Sequence, residues 1–417
     1  MQTAAAALAE DPWPADLARL IAVDTSFPPG EGYGALADVL ESLLAPLGFR
    51  CRRVEVPEAL WSMPGGQARG ARVNLIAARR TGRPVCSLYY HVDVVPAGEG
   101  WTRPPFALTR EGERLYGRGT NDMKGTIAAT LAALRAADAA GLPLAFDPVL
   151  LFCTDEEGGL YPGVRHLAEQ GLIEGHVLCL NGGAAPRIWV GCFGSLDLAI
   201  TVEGRAAHSG DPGNGINALE EALPIMAALK ALQARVQQRA SRLPPPPHHG
   251  GRPLTGRLTL AAVHAGAKGS ALPGRCTILV NRRYGPEEDE EQVLAELRRT
   301  VEEAARGTAA LSVETAVAGR LVPVENPDGP AYWPRWVEAL CFGFGYAPGD
   351  FRRYGASSSS DMGFVQRAGI GEILLGGLSR PDHRPHGPDE FTTTGDVTGL
   401  ARALLAYLTD STPRPIP

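Results

Sequence analysis

CSLYYHVDVV at residues 86–95, TIAATLAALRAADAAG at 126–141 and PVLLFCTDEE at 148–157 follow one another as apolar run, Ala/Leu-rich segment and apolar run. The two outer runs read as short strands buried on both faces. The segment between them is a helix stopped by Gly141 and Pro143. Working outward, RVNLIAAR (72–79) is a further buried strand, and ALADVLESLLAPLGF (35–49) carries its apolar residues at helical spacing. The alternation predicts an α/β layer with a mostly parallel sheet covered on both faces.

The middle of the chain has a different rhythm. SLDLAITVEG is a strand and INALEEALPIMAALKALQARVQQRA a long helix, closed by the loop LPPPPHHGGRP. RLTLAAVHAG and RCTILVNRRYG are two more strands, DEEQVLAELRRTVEEAARG a second helix and LSVETAVAG a last strand. Four strands and two helices predict a compact α+β unit over about residues 193–319. The first pattern resumes after it, so the unit reads as an insertion into a larger domain formed by 1–192 and 320–417.

The 417 residues are 44% hydrophobic and 21% charged, a globular balance. A formal charge of −6 without a basic stripe argues against nucleic acid as a partner. No segment approaches the roughly 20 apolar residues of a membrane span. The start, MQTAAAALAEDPWP, lacks a basic n-region and an apolar core, and the seven scattered cysteines form no Cys-x-x-Cys pair. Both features predict a reduced, cytoplasmic protein.

Four segments at strand ends or in loops carry chemistry: YYHVDVVP, GRGTNDMKG, LLFCTDEEGG and RPDHRPHGPDEF. In parallel α/β sheets such places hold ligands. His91 and Asp93 stand at i and i+2 on one strand face, where a carboxylate can hold the second ring nitrogen of a metal-binding histidine. The alternative is a satisfied core histidine. Asp122 lies in a Gly-rich turn before a helix and is a ligand or an N-cap. Asp155, Glu156 and Glu157 end an apolar strand, where adjacent like charges are costly. A metal relieves that cost, one carboxylate binding it while a neighbour acts as base. A solvated acidic turn is the alternative. His383 and His386 add imidazoles, or are surface loop residues. Imidazole and carboxylate without thiolate suit zinc, with cobalt or manganese as substitutes.

In this order, from LARLIAVDTSFPPG through HVDVVP, GRGTNDMKG, TDEEGG and EGRAAHSGDPGNGINA to HGPDEF, the motifs resemble the di-zinc family of acetylornithine deacetylase, succinyl-diaminopimelate desuccinylase, aminoacylase and glutamate carboxypeptidase. The resemblance implies a zinc-peptidase-like catalytic domain with an inserted, ferredoxin-like dimerisation domain, and hence a homodimer. It implies that His91 binds a first metal and Asp93 orients it. Asp122 bridges two metals, through a cis peptide to Met123. Glu156 is the general base, Glu157 and His386 complete the second site, and Glu390 is the family's trailing glutamate. His208 stabilises the oxyanion across the dimer, and Arg283 rather than Arg282 binds a substrate carboxylate.

Two positions depart from the family. Asn181, in HVLCLNGGAAP, replaces a metal-binding carboxylate, which predicts a weak first metal and a stronger second one. Ser270, in GAKGSALPG, stands where the family has a substrate-binding Asn. The expected activity is hydrolysis of an amide that bears a carboxylate, such as an N-acyl amino acid or small peptide. The rival expectation is a scaffold turned to ligand binding, acyl transfer or cyclisation with one metal.

Overall fold

The computed structural model describes residues 1–62, 66–158, 160–326, 328 and 330–410. Gly159, the last residue of the TDEEGG motif, lies outside them. The principal strands are β1 (Arg50–Glu55), β2 (Val73–Ala78), β3 (Val85–His91), β4 (Asp147–Cys153), β5 (His176–Cys179), β6 (Gly194–Glu203), β7 (Arg257–Ala265), β8 (Arg275–Tyr284), β9 (Ser312–Leu321) and β10 (Ile373–Leu375). The principal helices are α1 (Tyr33–Leu44), α2 (Lys124–Ala139), α3 (Ala218–Val236), α4 (Glu290–Ala305), α5 (Trp333–Phe344) and α6 (Thr394–Leu408).

The chain divides into two compact units. The first comprises Met1–Trp189, Asn326–Arg353 and the chain from Phe364 on. Its six-stranded sheet has the order β1-β2-β4-β3-β5-β10. The pairs β3/β4, β3/β5 and β5/β10 are parallel. The β1/β2 and β2/β4 pairs are antiparallel. The apolar runs lie where continuous hydrophobicity demands: every residue of β4 is buried, and β3 is buried from Cys86 to His91. Helix α2 is buried over most of its length, which its Ala and Gly residues permit by letting neighbours approach closely. It ends at Gly141, whose φ of 61° is costly for a residue with a Cβ. Helix α6 packs against both α2 and α5. Because β3, β4 and β5 run parallel, their carboxyl ends fall on one edge of the sheet, and these ends carry the motif residues.

The second unit comprises Val190–Glu325 and Tyr354–Gly363. The segment 354–363, which the sequence pattern leaves with the larger domain, packs here. The chain order β6-α3-β7-β8-α4-β9 forms an antiparallel sheet with the spatial order β7-β8-β6-β9, the ferredoxin-like arrangement. Period-two burial along β8 turns Ile278, Val280 and Arg282 to one face and Asn281 and Arg283 to the other. The apolar face meets Ile225, Leu229 and Leu232 of α3 and Val293, Leu297 and Val301 of α4.

No helix among the described residues is long and apolar enough to cross a membrane. None of the seven cysteines forms a disulfide.

Candidate metal centre and its surroundings

His91 closes β3 and is fully buried. Its Nδ1 lies 3.0 Å from the backbone carbonyl of Asp93 and therefore donates to it. The Asp93 carboxylate is farther from that nitrogen, at 3.8 Å. The main chain of Asp93 thus orients the ring more directly than its side chain, which instead accepts the Glu157 N–H at 2.8 Å. Burial pushes the Asp93 carboxyl up to about 7, while His91 pulls it down and Asp155 and Glu157 push it further up.

With its proton on Nδ1, neutral His91 presents the Nε2 lone pair, which faces Asp122 Oδ1 at 2.9 Å. Two acceptors at that distance require a proton or a cation between them. The same holds on the other side of Asp122, where Oδ2 is 3.3 Å from His386 Nε2. His386 Nε2 is also 3.2 Å from Glu157 Oε2. Asp122 and Glu157 raise the His386 imidazolium to about 10, against the opposing effect of burial. Burial alone would raise Asp122, yet hydrogen bonds from His386 and His91 hold it well below the usual carboxylate range. The peptide from Asp122 to Met123 is cis.

The ligand atoms of His91, Asp122 and Glu157 all lie within 4.8 Å of one another. Among the described residues, the buried oxygens Glu157 Oε1 and Asp93 Oδ1 meet no hydrogen-bond donor. An orphaned carboxylate oxygen beside two imidazoles fits a hard or borderline divalent cation.

The other acidic residues separate into distinct tasks. Asp155, with φ of 57°, turns away from the cluster and accepts from Tyr33 Oη at 2.6 Å and Arg72 Nε at 2.8 Å. Burial raises its carboxyl while Tyr33 and Arg72 lower it. Glu156 accepts a 2.8 Å hydrogen bond from Asn181 Nδ2. Asn181, just past β5, therefore meets the candidate base. Glu390 is buried and ties down the Asp122 loop: it accepts from the backbone N–H groups of Gly119, Asn121 and Asp122 at 2.9–3.0 Å and from Arg118 Nη1 at 2.7 Å. Arg118 Nη2 also donates to the carbonyl of His386 at 3.2 Å, joining two motifs far apart in sequence. His383 is buried against Phe391 rather than on the surface, and lies outside the cluster.

Tyr33, Arg72 and Arg118 are absent from the motif reading. A buried Arg needs a carboxylate, so Arg118 within a Gly-rich motif is the one signal that could have pointed to Glu390. Tyr33 and Arg72 carry no local signal at all.

In the second unit, Ala207–His208 pairs with Ala271–Leu272, and the Ser209 N–H donates to the carbonyl of Ser270 at 3.1 Å. His208 and Ser270 are thereby neighbours. His208 is exposed, and its Nδ1 accepts the Gly210 N–H at 3.0 Å. In neutral His208 the proton then sits on Nε2, leaving that nitrogen a donor. Arg282 is fully buried and paired with Glu288. Arg283, on the opposite face, donates to Ser359 Oγ at 2.6 Å and to Asn281 Oδ1 at 3.2 Å.

The succinyl-diaminopimelate desuccinylase of Rhodospirillum rubrum is 39% identical over 235 residues, which cover 52% of this chain and 57% of that protein. The chain thus matches little more than half the length of that relative. The protein of the same description from Gluconobacter oxydans is 29% identical over 407 residues, covering 95% of this chain and 96% of its own. The M20 family metallo-carboxypeptidase Sso-CP2 from Sulfolobus solfataricus shares the fold, with a TM-score of 0.77 at 17% identity over 95% of this chain and 98% of its own. Residues 87–410, which take in most of β3, the Asp122 loop, the acidic turn and His386, match the family described as Peptidase family M20/M25/M40, and the chain belongs to that family.

Proposed function

We propose that the protein hydrolyses the amide bond of an N-acyl amino acid or small peptide that carries a carboxylate. The observation that carries this reading is the Asp122 carboxylate flanked by His91 and His386, with the orphaned oxygen of Glu157 beside it. Asp122, Glu157 and His386 would hold one metal ion tightly. His91, with Asp122 and Asn181, would hold a second one weakly. The donor set suits zinc, and cobalt or manganese could replace it. When bound, the ion supplies Lewis acidity and charge stabilisation.

Glu156 takes a proton from the attacking water and returns it to the departing amine. Its hydrogen bond from Asn181 holds one carboxylate oxygen in place. His208 donates from Nε2 to the developing oxyanion. Arg283 binds the substrate carboxylate, and Ser270 shapes the pocket where the family has Asn. Names of relatives support the substrate class: the two sequence relatives are desuccinylases and the structural one is a carboxypeptidase.

The region 193–319 serves as the dimerisation domain of a cytoplasmic homodimer. In its support, Leu219 and Leu223 on α3 are 37% and 55% exposed, and Val263 lies exposed on the edge strand β7. A strict monomer in light scattering would refute the assembly and with it any cross-subunit role of His208.

One observation favours the rival reading of non-hydrolytic chemistry: Asn181 meets Glu156 as a neutral donor and adds no negative charge. Metal analysis with a panel of N-acyl amino acids tests the choice. Glu156→Gln should retain metal and lose roughly 10²–10⁴-fold in turnover. Near-normal rates in that variant, or no hydrolysis of any panel member by the wild type, would sink the hydrolase reading.

A further inference from the structure

The second unit contains a cavity of about 600 Å³ lined by His248, His249, Arg252, Arg257 and Ser357, with no carboxylate among its lining residues. The strand register makes the arrangement more pointed. Arg257 of β7 stands directly opposite Arg283 of β8, so the two side chains leave the sheet on the same face. Like charges placed directly across a strand pair are destabilising. Among the described residues, no carboxylate pairs with either of them. Arg283 donates only to the neutral Ser359 and Asn281. Among the described residues, Arg257 has neither an ion pair nor a side-chain hydrogen bond, and Arg252 reaches only the carbonyl of His249. Asp197, an acid on that face of the central strand, is engaged by Asn281 instead.

The loop that brings the histidines and Arg252 to this face is held at both ends. Leu243 and Leu254 are buried together with Val190 and Phe193. The Ser241 N–H donates to Leu254 and the Gly355 N–H to Pro244, both at 2.8 Å. Consecutive prolines, Pro244 to Pro247, restrict the backbone between these anchors. The cationic groups are therefore presented by a tethered scaffold, which limits the ordering cost of a ligand.

We propose that this pocket is an anion-binding site for a small dianion, of the chemistry shared by dicarboxylates and phosphate. Two guanidinium groups offer paired donors to its oxygens, and the imidazoles and the Ser357 hydroxyl complete the shell. The dianion is either free in solution or the acyl end of the substrate. The second alternative rests on the hydrolase reading; the first does not.

The test uses the full-length, metal-loaded protein and two exposed positions, Arg257→Gln and Arg252→Gln. In the first arm, inorganic phosphate and succinate are titrated calorimetrically, and the metal content of each variant is measured in parallel. Affinity for at least one anion should fall tenfold or more in both variants at unchanged metal content. In the second arm, the ratio of KM for the N-acetyl form of an amino acid to KM for its N-succinyl form is compared. A tenfold fall of this ratio in Arg257→Gln assigns the site to the acyl carboxylate. Loss of free anion binding with an unchanged ratio assigns it to a free anion. If the wild type cleaves neither amide, the hydrolase reading fails and the direct titration alone decides the pocket. Anion affinities and KM ratios that both survive the two substitutions overturn the proposal.

Discussion

Replacing Asn181 with Asp tests the charge balance of the centre directly. Asn181 Nδ2 lies 2.8 Å from Glu156 Oε1, so the substitution exchanges a hydrogen bond for two carboxylate oxygens in contact. At an effective dielectric constant of about 20, two unit charges at that separation repel by about 6 kcal/mol. Side-chain rotation and water reduce this figure; if a third survives, about 2 kcal/mol opposes the metal-free variant, or roughly 2–4 °C in melting temperature for a protein of this size. A cation removes the repulsion, as does a proton. The wild type should therefore hold about one tight metal per chain, and Asn181→Asp should move toward two. Chelation should lower the melting temperature of the variant several degrees more than that of the wild type. Asn181→Ala, which removes the hydrogen bond without adding charge, should gain no metal. Elemental analysis after gel filtration and paired melting curves with and without chelator provide the measurement. Two tight metals in the wild type, or equal chelator sensitivity in wild type and Asn181→Asp, would refute the reasoning.

Tyr33→Phe removes a buried hydrogen bond to the Asp155 carboxylate and should cost about 1.5–3 kcal/mol in urea unfolding, with a fall in kcat because Asp155 precedes Glu156 in the same turn; unchanged stability would show that Arg72 alone holds the turn. Arg283→Met should raise KM for substrates with a free carboxylate at least tenfold more than for their amides, since a charge-assisted pair is lost; equal effects on both would make the arginine structural. His176, bonded to Tyr407 at 2.6 Å, is lowered to about 4 by burial and then by Arg335. Above about pH 6.5 it is neutral folded and unfolded, whereas between about 6.5 and 4 only the unfolded chain takes up the proton, so stability falls by up to about 3 kcal/mol as the pH drops through that window. His176→Gln should move the acid-unfolding midpoint to lower pH, and identical midpoints would remove His176 from the account.

The legible parts of the fold were those with a local signal. Runs such as PVLLFC and CSLYYH read as buried strands, and the βαββαβ rhythm of the middle unit followed from helix and strand periods. Sheet order was not legible. Nothing local says that β4 lies between β2 and β3, or that β2 alone runs antiparallel to the other five strands. Nor does any local feature take the segment 354–363 to the second unit, because that choice is made by contacts formed across the chain.

The site divides along the same line. The sequence motifs name His91, Asp122, Glu157 and His386, and the structure brings their polar atoms together; an imidazole such as His91 at the end of an apolar strand is costly without a reason. The residues that aim them were hidden. Asp155 looks identical to its two acidic neighbours until Tyr33, 122 positions away, and Arg72 claim it. Once Asp155 is fixed, successive positions of the turn are forced apart: Glu156 meets Asn181, while Glu157 meets His386. Three adjacent acids thereby acquire three different environments without any difference in side-chain chemistry sufficient to foretell it. The same logic governs Asn181. As a letter in the sequence it departs from the family's carboxylate; in the structure it is a donor to the candidate base, so its substitution tests the proposed metal balance and the proposed proton acceptor at once. That coupling is why Asn181→Asp and Asn181→Ala together separate charge from hydrogen bonding, which neither variant does alone.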